Sequence, residues 1–308
     1  MKTKTILLLA LAAACLLTAC NQKSAEPANI TLTVKPGSKI YLSFAGVTDS
    51  TPVHIRNGRL DTTIIVGTER TPARYFIANK GKMTIRGRLT LFNCSTNGSV
   101  ITALDCSRDT LLQNLECNHN ALTELNVSGC TSLRVLECYA NRLDTLNLSG
   151  SPILERLNCS DNLLTKLVLP SPCKELILLS CINNKLTQLD ITTCSKLQRL
   201  NCSNNELIKL QLLGCNDLSI VNCEKNKLTE LDFSGCVWLT TVFCCQNNFS
   251  YDSIEMLYNS LPDRTTDDEP GHITILDENA LSSGRTNAGN EGIATKKHWE
   301  VLWCQSNE

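Results

Sequence analysis

From about residue 90 to about residue 250 the chain alternates apolar and polar positions in one fixed order. The segment LRVLECYANRL (133–143) shows the first half of the unit. In Leu136-Glu137-Cys138 the apolar residues share one face and the glutamate points the other way, which predicts a short half-buried strand. The second half, as in LTELNVSGC (122–130), repeats the alternation and predicts another short extended run on an opposite wall. The whole unit reads Leu-x-x-Leu-x-Cys-x-x-Asn-x-Leu-x-x-Leu-x-Leu-x-x-Cys-x-x. No stretch between the strands is long enough for a helix of several turns.

Two columns of cysteine run through these units. The first is Cys94, Cys117, Cys138, Cys159, Cys181, Cys202, Cys223 and Cys244, spaced by 21 residues from Cys117 onward and by 22 once. Three residues after each comes an asparagine: Asn97, Asn120, Asn141, Asn162, Asn184, Asn205, Asn226 and Asn247. The second column is Cys130, Cys173, Cys194, Cys215 and Cys236, with Ser151 between the first two. A unit this short cannot bury its own apolar face, so its neighbours must cover it. Stacking predicts a parallel sheet with one strand per turn, adjacent strands about 4.8 Å apart. The asparagines fall where the chain leaves the strand, and their amides suit backbone groups that a tight turn leaves unpaired.

This pattern resembles the leucine-rich repeat, in its short 21-residue bacterial form with cysteine in place of one consensus leucine. The resemblance implies a β-rich solenoid of about seven or eight turns. Flanking it, residues 29–89 read as a small β domain that also caps the solenoid, with residues 90–249 as the solenoid itself. In the cap, ITLTV and KIYLSF flank a turn at Pro36-Gly37-Ser38, and VHIR and RLDTTIIV flank Asn57-Gly58, a strong hairpin signal. Residues 250–308 read as an α/β C-terminal cap: SYDSIEMLYNSLP predicts a helix with Ile254, Leu257 and Leu261 on one side, followed by strand HITILD. Similar endings occur in leucine-rich lipoproteins of gut Bacteroidetes.

For the cysteines three readings compete: small apolar fillers, a disulfide ladder, or a metal site. Stacked residues of one column point the same way, which suits the disulfide separation and torsion poorly. No Cys-x-x-Cys pair or Cys/His cluster suggests metal. We take Cys117, Cys138, Cys159, Cys181, Cys202, Cys223 and Cys244 as core thiols, filling an interior where leucine would overpack. Cys245 and Cys304 stand outside the columns and are the candidates for a disulfide.

The start of the chain changes the picture again. Lys2 and Lys4 precede an apolar run from Ile6 to Leu17, which reads as a secretory signal. Leu17-Thr18-Ala19-Cys20 resembles a bacterial lipobox, and the resemblance implies lipidation of Cys20. On this reading residues 1–19 are the signal, 20–28 a tether, and acyl carbons hold the protein to the bilayer at about 0.8 kcal/mol per buried methylene. The expected location is the outer membrane, facing the cell surface. Residues 21–26, NQKSAE, hold only Glu26 where an outward-export signal would be acidic, so a periplasm-facing orientation stays open.

Chemistry is sparse. The 29 basic and 30 acidic side chains balance, leaving no electrostatic footprint for nucleic acid. His54, His119, His272 and His298 are scattered, and there is no phosphate-binding glycine loop and no HExxH. Asp105, Asn126, Asn147, Asp190 and Asp232 recur on the opposite wall and read as a solvated polar row rather than a calcium ladder. No cofactor, metal or catalytic group is expected, and the chain reads as a binding protein rather than an enzyme.

What remains is surface. Outward positions of the main sheet carry Glu116, Glu137, Tyr139, Leu178, Ile182, Ile220 and Phe243, our candidate binding face. Apolar anchors within a polar rim are what a protein interface looks like. The expectation is an adhesin-like scaffold that binds a protein or glycan partner. Its rival is an assembly lipoprotein with a partner inside the envelope.

Overall fold

The computed structural model describes residues 29–276 and 289–304; the signal sequence, Cys20 and the tether lie outside the described residues. The N-terminal region is built from β1 (Asn29–Val34), β2 (Lys39–Gly46), β3 (Thr51–Asn57), β4 (Leu60–Val66), β5 (Arg74–Ile77) and β6 (Lys82–Arg86). Asn57-Gly58 does form the hairpin between β3 and β4, with Gly58 at φ +61°. The Pro36-Gly37 turn works differently: β1 and β2 do not pair with each other but enter two separate sheets. Gly37 (φ +83°) lets the chain cross between them.

Those two sheets are the walls of the solenoid. β7 (Leu89–Asn93) and β8 (Ile101–Asp105) make the first turn, β9 (Asn114–Glu116) and β10 (Glu124–Asn126) the second. They are followed by β11 (Val135–Glu137), β12 (Thr145–Asn147), β13 (Arg156–Asn158), β14 (Lys166–Val168), β15 (Leu178–Ser180), β16 (Arg199–Asn201), β17 (Ile220–Asn222) and β18 (Thr241–Phe243). The main sheet runs parallel through β7, β9, β11, β13, β15, β16, β17 and β18. This is a parallel β-solenoid of about seven turns. β2 pairs antiparallel with β7 and covers the edge of the main sheet; β1 pairs antiparallel with β8 and extends the other wall. Covering an open parallel edge removes a row of unpaired backbone groups from solvent.

Three-residue strands follow from the sequence. Only the central residue of each, such as Leu136, Leu157, Leu179 and Leu200, points inward, and each is at most 2% exposed. Burying such a leucine contributes about 2 kcal/mol, and truncating it to alanine costs about 2–5 kcal/mol. Between the walls these leucines meet those of the second half, Leu143, Leu164, Leu186, Leu207 and Leu228, all fully buried. No long helix connects the walls; the first turn holds a single 3₁₀ turn at Gly98–Val100.

The far end closes with α1 (Tyr251–Ser260), β19 (Gly271–Leu276), α2 (Glu291–Thr295) and β20 (Trp299–Trp303). α1 starts in a capping box, Ser250 and Ser253 each bonding the other's backbone N–H. It turns Ile254, Leu257 and Tyr258 onto the last turn of the solenoid. β19 and β20 continue the main sheet in parallel. Trp299 is buried and its indole N–H donates to the Pro262 carbonyl at 2.9 Å. Gly271 lies against that ring, where a Cβ would come within 2.6 Å. Cys245 and Cys304 form a disulfide, Cα atoms 6.1 Å apart, fastening β20 to the last turn.

Candidate functional site

The candidate surface depends on how each turn is fixed. Immediately before each turn asparagine the backbone takes a left-handed conformation: His119, Ala140, Asp161, Asn183, Asn204, Lys225 and Gln246 have φ between 52° and 54°. The bend brings the next side chain, the asparagine, into the interior. Asn141 Nδ2 donates to the carbonyls of Cys138 and, one turn earlier, Cys117, both at 3.0 Å, while its Oδ1 accepts the Leu122 N–H at 3.0 Å. Asn162, Asn184, Asn205, Asn226 and Asn247 repeat the arrangement. Asn120 keeps both carbonyl bonds but leaves its buried Oδ1 without a partner. Every bend is thus satisfied by one amide, which holds successive strands in register.

The thiols lie behind this sheet. Cys117, Cys138, Cys159, Cys181, Cys202, Cys223 and Cys244 are fully buried and unoxidised, and burial pushes their thiols up, Cys181 to about 12. Such thiols carry little thiolate and are poor nucleophiles. Cys106 extends the second column: the Cys130 thiol donates to its carbonyl at 3.2 Å. The sequence pattern missed it because the first turn is longer, 24 residues from Cys106 to Cys130, the excess holding Asp109. On the opposite wall Asp105, Asn126, Asn147, Asp190 and Asp232 each accept the backbone N–H two residues on, so this row caps turns.

Strand register fixes two outward rows on the main sheet. One runs Glu116, Glu137, Asn158, Ser180, Asn201, Asn222, Phe243 and the other Asn114, Val135, Arg156, Leu178, Arg199, Ile220, Thr241. Across them lies a shallow groove of about 380 Å³. Of the candidate face, Glu137, Leu178, Ile220 and Phe243 line it. They are half-buried rather than projecting. Glu116, Tyr139 and Ile182 are not brought into it. Glu116 is held by Arg70 and by the Asn93 amide at 2.8 Å. Tyr139 sits edge-on to His119, ring centroids 5.0 Å apart. Ile182 lies in the row next to the bend, half-buried.

The groove also contains two arginines, Arg156 and Arg199, which hydrophobicity alone does not single out. Both are exposed, and neither forms an ion pair among the described residues. The Glu137 carboxyl at the margin is pushed above the usual carboxylate range by burial, partly opposed by its Asn158 hydrogen bond and by Arg156.

No family model and no curated protein matches the chain. Among solved structures it is similar to the functional domain of InlJ from Listeria monocytogenes, which includes a cysteine ladder: 28% identity, 70% of this chain, 48% of that one, TM-score 0.42. It is also similar to YopM, a leucine-rich effector protein from Yersinia pestis: 26% identity, 55% of this chain, 46% of that one, TM-score 0.44. A third is the leucine-rich repeat domain of APL1B: 20% identity, 57% and 66% of the two chains, TM-score 0.44. The chain spans about half the length of the first two.

Proposed function

We propose that this protein is a non-enzymatic binding scaffold whose main-sheet groove receives a macromolecular partner, protein or glycan. The observation that carries the reading is the groove itself. It sets Leu178, Ile220 and Phe243 beside a row of Asn158, Ser180, Asn201 and Asn222, apolar anchors next to hydrogen-bonding groups on a rigid sheet. The asparagine bends beneath it make the surface pre-organised, which lowers the entropic cost of binding. The sequence supports placing this scaffold on the outer membrane through a lipid at Cys20, in an adhesin-like role at the cell surface.

The test is a screen of purified protein against a glycan array and an array of extracellular and envelope proteins, run beside the Leu178→Ser/Ile220→Ser/Phe243→Ser variant. Loss of the wild-type hits in a variant with native circular dichroism supports the groove; hits retained by that variant contradict it. Protease digestion of the solenoid on intact cells tests orientation: cleavage supports the surface location, while protection until permeabilisation supports the periplasm-facing alternative.

A further inference from the structure

Several ion pairs of this solenoid join adjacent turns. Across adjacent turns Arg134 pairs with Glu155, and Lys196 with Glu175 and Lys227 with Glu206, both at 2.7 Å. Lys209 meets Glu230 at 3.4 Å. Each pair joins residues in equivalent positions one turn apart. In the groove the equivalent neighbours of Arg156 and Arg199 are Val135, Leu178 and Ile220. Neither arginine has a carboxylate beside it in its own row. The charged groups lining the groove are these two arginines and Glu137, one turn before Arg156, so a positive surplus remains, centred on Arg199.

We propose that the groove's occupant is an acidic, extended peptide segment whose carboxylates engage Arg156 and Arg199, with an apolar side chain lodged between them on Leu178. This rests on the groove being the binding surface. Arg156, Leu178 and Arg199 occupy successive strands in register. The two arginine backbones are therefore two strand spacings apart, roughly 10 Å. A chain in the extended polyproline-II form laid along the solenoid axis advances about 3.1 Å per residue and returns to the same face every third residue, so carboxylates three residues apart match that interval. The planar guanidinium donates two parallel N–H hydrogen bonds to a carboxylate, a geometry lysine does not offer. Beyond Arg199 the row continues with Ile220, and Phe243 closes the groove, giving a second apolar seat. A polysaccharide acid would set hydroxyls against Leu178 and Ile220, so the aliphatic seats between the charges favour a peptide.

The experiment selects binders from a phage library of random dodecapeptides against the wild type, against Arg156→Gln/Arg199→Gln, and against Leu178→Ser/Ile220→Ser/Phe243→Ser, with a glycan array in parallel. The expected result is enrichment of Asp or Glu at positions three apart with an apolar residue between, lost in both variants. An enriched peptide should lose affinity by roughly 10-fold or more in the arginine variant. Its wild-type affinity should fall between about 50 mM and 500 mM salt. Peptides without acidic residues, retained by the arginine variant and lost by the apolar one, would overturn this inference and leave the groove reading standing. Peptide enrichment indifferent to both variants would overturn both. Binding to acidic glycans alone, or no peptide enrichment, would also overturn the inference; loss of glycan binding in the apolar variant would again leave the groove reading standing.

Discussion

Asn162 Oδ1 accepts the backbone N–H of Leu143, nineteen residues earlier and one turn back, at 3.0 Å. The same side chain donates to the carbonyls of Cys138 at 3.0 Å and Cys159 at 3.1 Å. One buried amide therefore bonds backbone groups that belong to two turns.

Removing it orphans the Leu143 N–H, while the Cys138 and Cys159 carbonyls keep the amides of Asn141 and Asn184. Asn162→Ala should destabilise by about 1–3 kcal/mol, the cost of one buried unsatisfied N–H. Asn120→Ala should cost less, because Asn120 Oδ1 has no partner to lose. Urea titration of both variants checks this; equal losses would mean that the Oδ1 bond contributes nothing.

Asp109 gives the protein a pH response. It is fully buried, its Oδ1 accepts the Leu111 and Leu112 N–H groups, and its Oδ2 has no partner. Burial raises its pKa from the ordinary 3.8 to about 6, against the two backbone hydrogen bonds, which lower it. The folded state therefore holds the proton more tightly than the unfolded chain. The associated stability is full below 3.8 and is lost as pH rises through about 6. Asp109→Asn keeps the accepting oxygen and should stabilise the protein at pH 8 by about 2 kcal/mol. It should also flatten the dependence across that window. Thermal melts at pH 4 and pH 8 check this; a variant that melts at or below the wild-type temperature at pH 8 would contradict it.

The thiol columns should be chemically silent while folded, apart from Cys173, whose pKa is lowered by its hydrogen bond with the Cys194 thiol. Burial pushes Cys130 and Cys215 to about 12 and Cys236 to about 11, and the first column rises as well. Iodoacetamide at pH 8 should leave these cysteines unmodified in the native protein and label them after unfolding in urea. Mass spectrometry of the digests reads the result. Cys202→Leu should cost about 1–3 kcal/mol by overpacking, whereas a filler role with slack would make it neutral.

The left-handed bends offer a separate check. Ala140 sits at φ 53°, where glycine carries no steric cost and a β-branched residue does. Ala140→Gly should change stability by less than about 1 kcal/mol, and Ala140→Val should destabilise by about 1–3 kcal/mol. Equal effects in urea titration would mean that the bend conformation is not what limits this position.

The solenoid was legible because its period is written in single residues: Leu136, Cys138 and Asn141 each mark a position that geometry must satisfy the same way in every turn. The join to the N-terminal strands was not. Pairing of β1 with β8 is antiparallel and spans about seventy residues without any repeat, so no local pattern encodes it. Cys106 escaped for a related reason, because the longer first turn breaks the spacing. At the surface, Leu178, Ile220 and Phe243 stood out by hydrophobicity, but so did Tyr139 and Ile182, which lie in the row next to the bend. Arg156 and Arg199 were visible as residues and not as a pair. Their significance lies in standing two strands apart in one row of the groove, flanking Leu178, and only the register of adjacent strands shows that.

The most direct test of the central claim is hydrogen–deuterium exchange of the wild-type protein with and without the tightest binder from the arrays. Binding in the groove should slow exchange in β13, β15, β16, β17 and β18 and in the bends that follow them, leaving β12, β14 and the N-terminal strands unchanged. Protection confined to the opposite wall or to either cap would contradict the account.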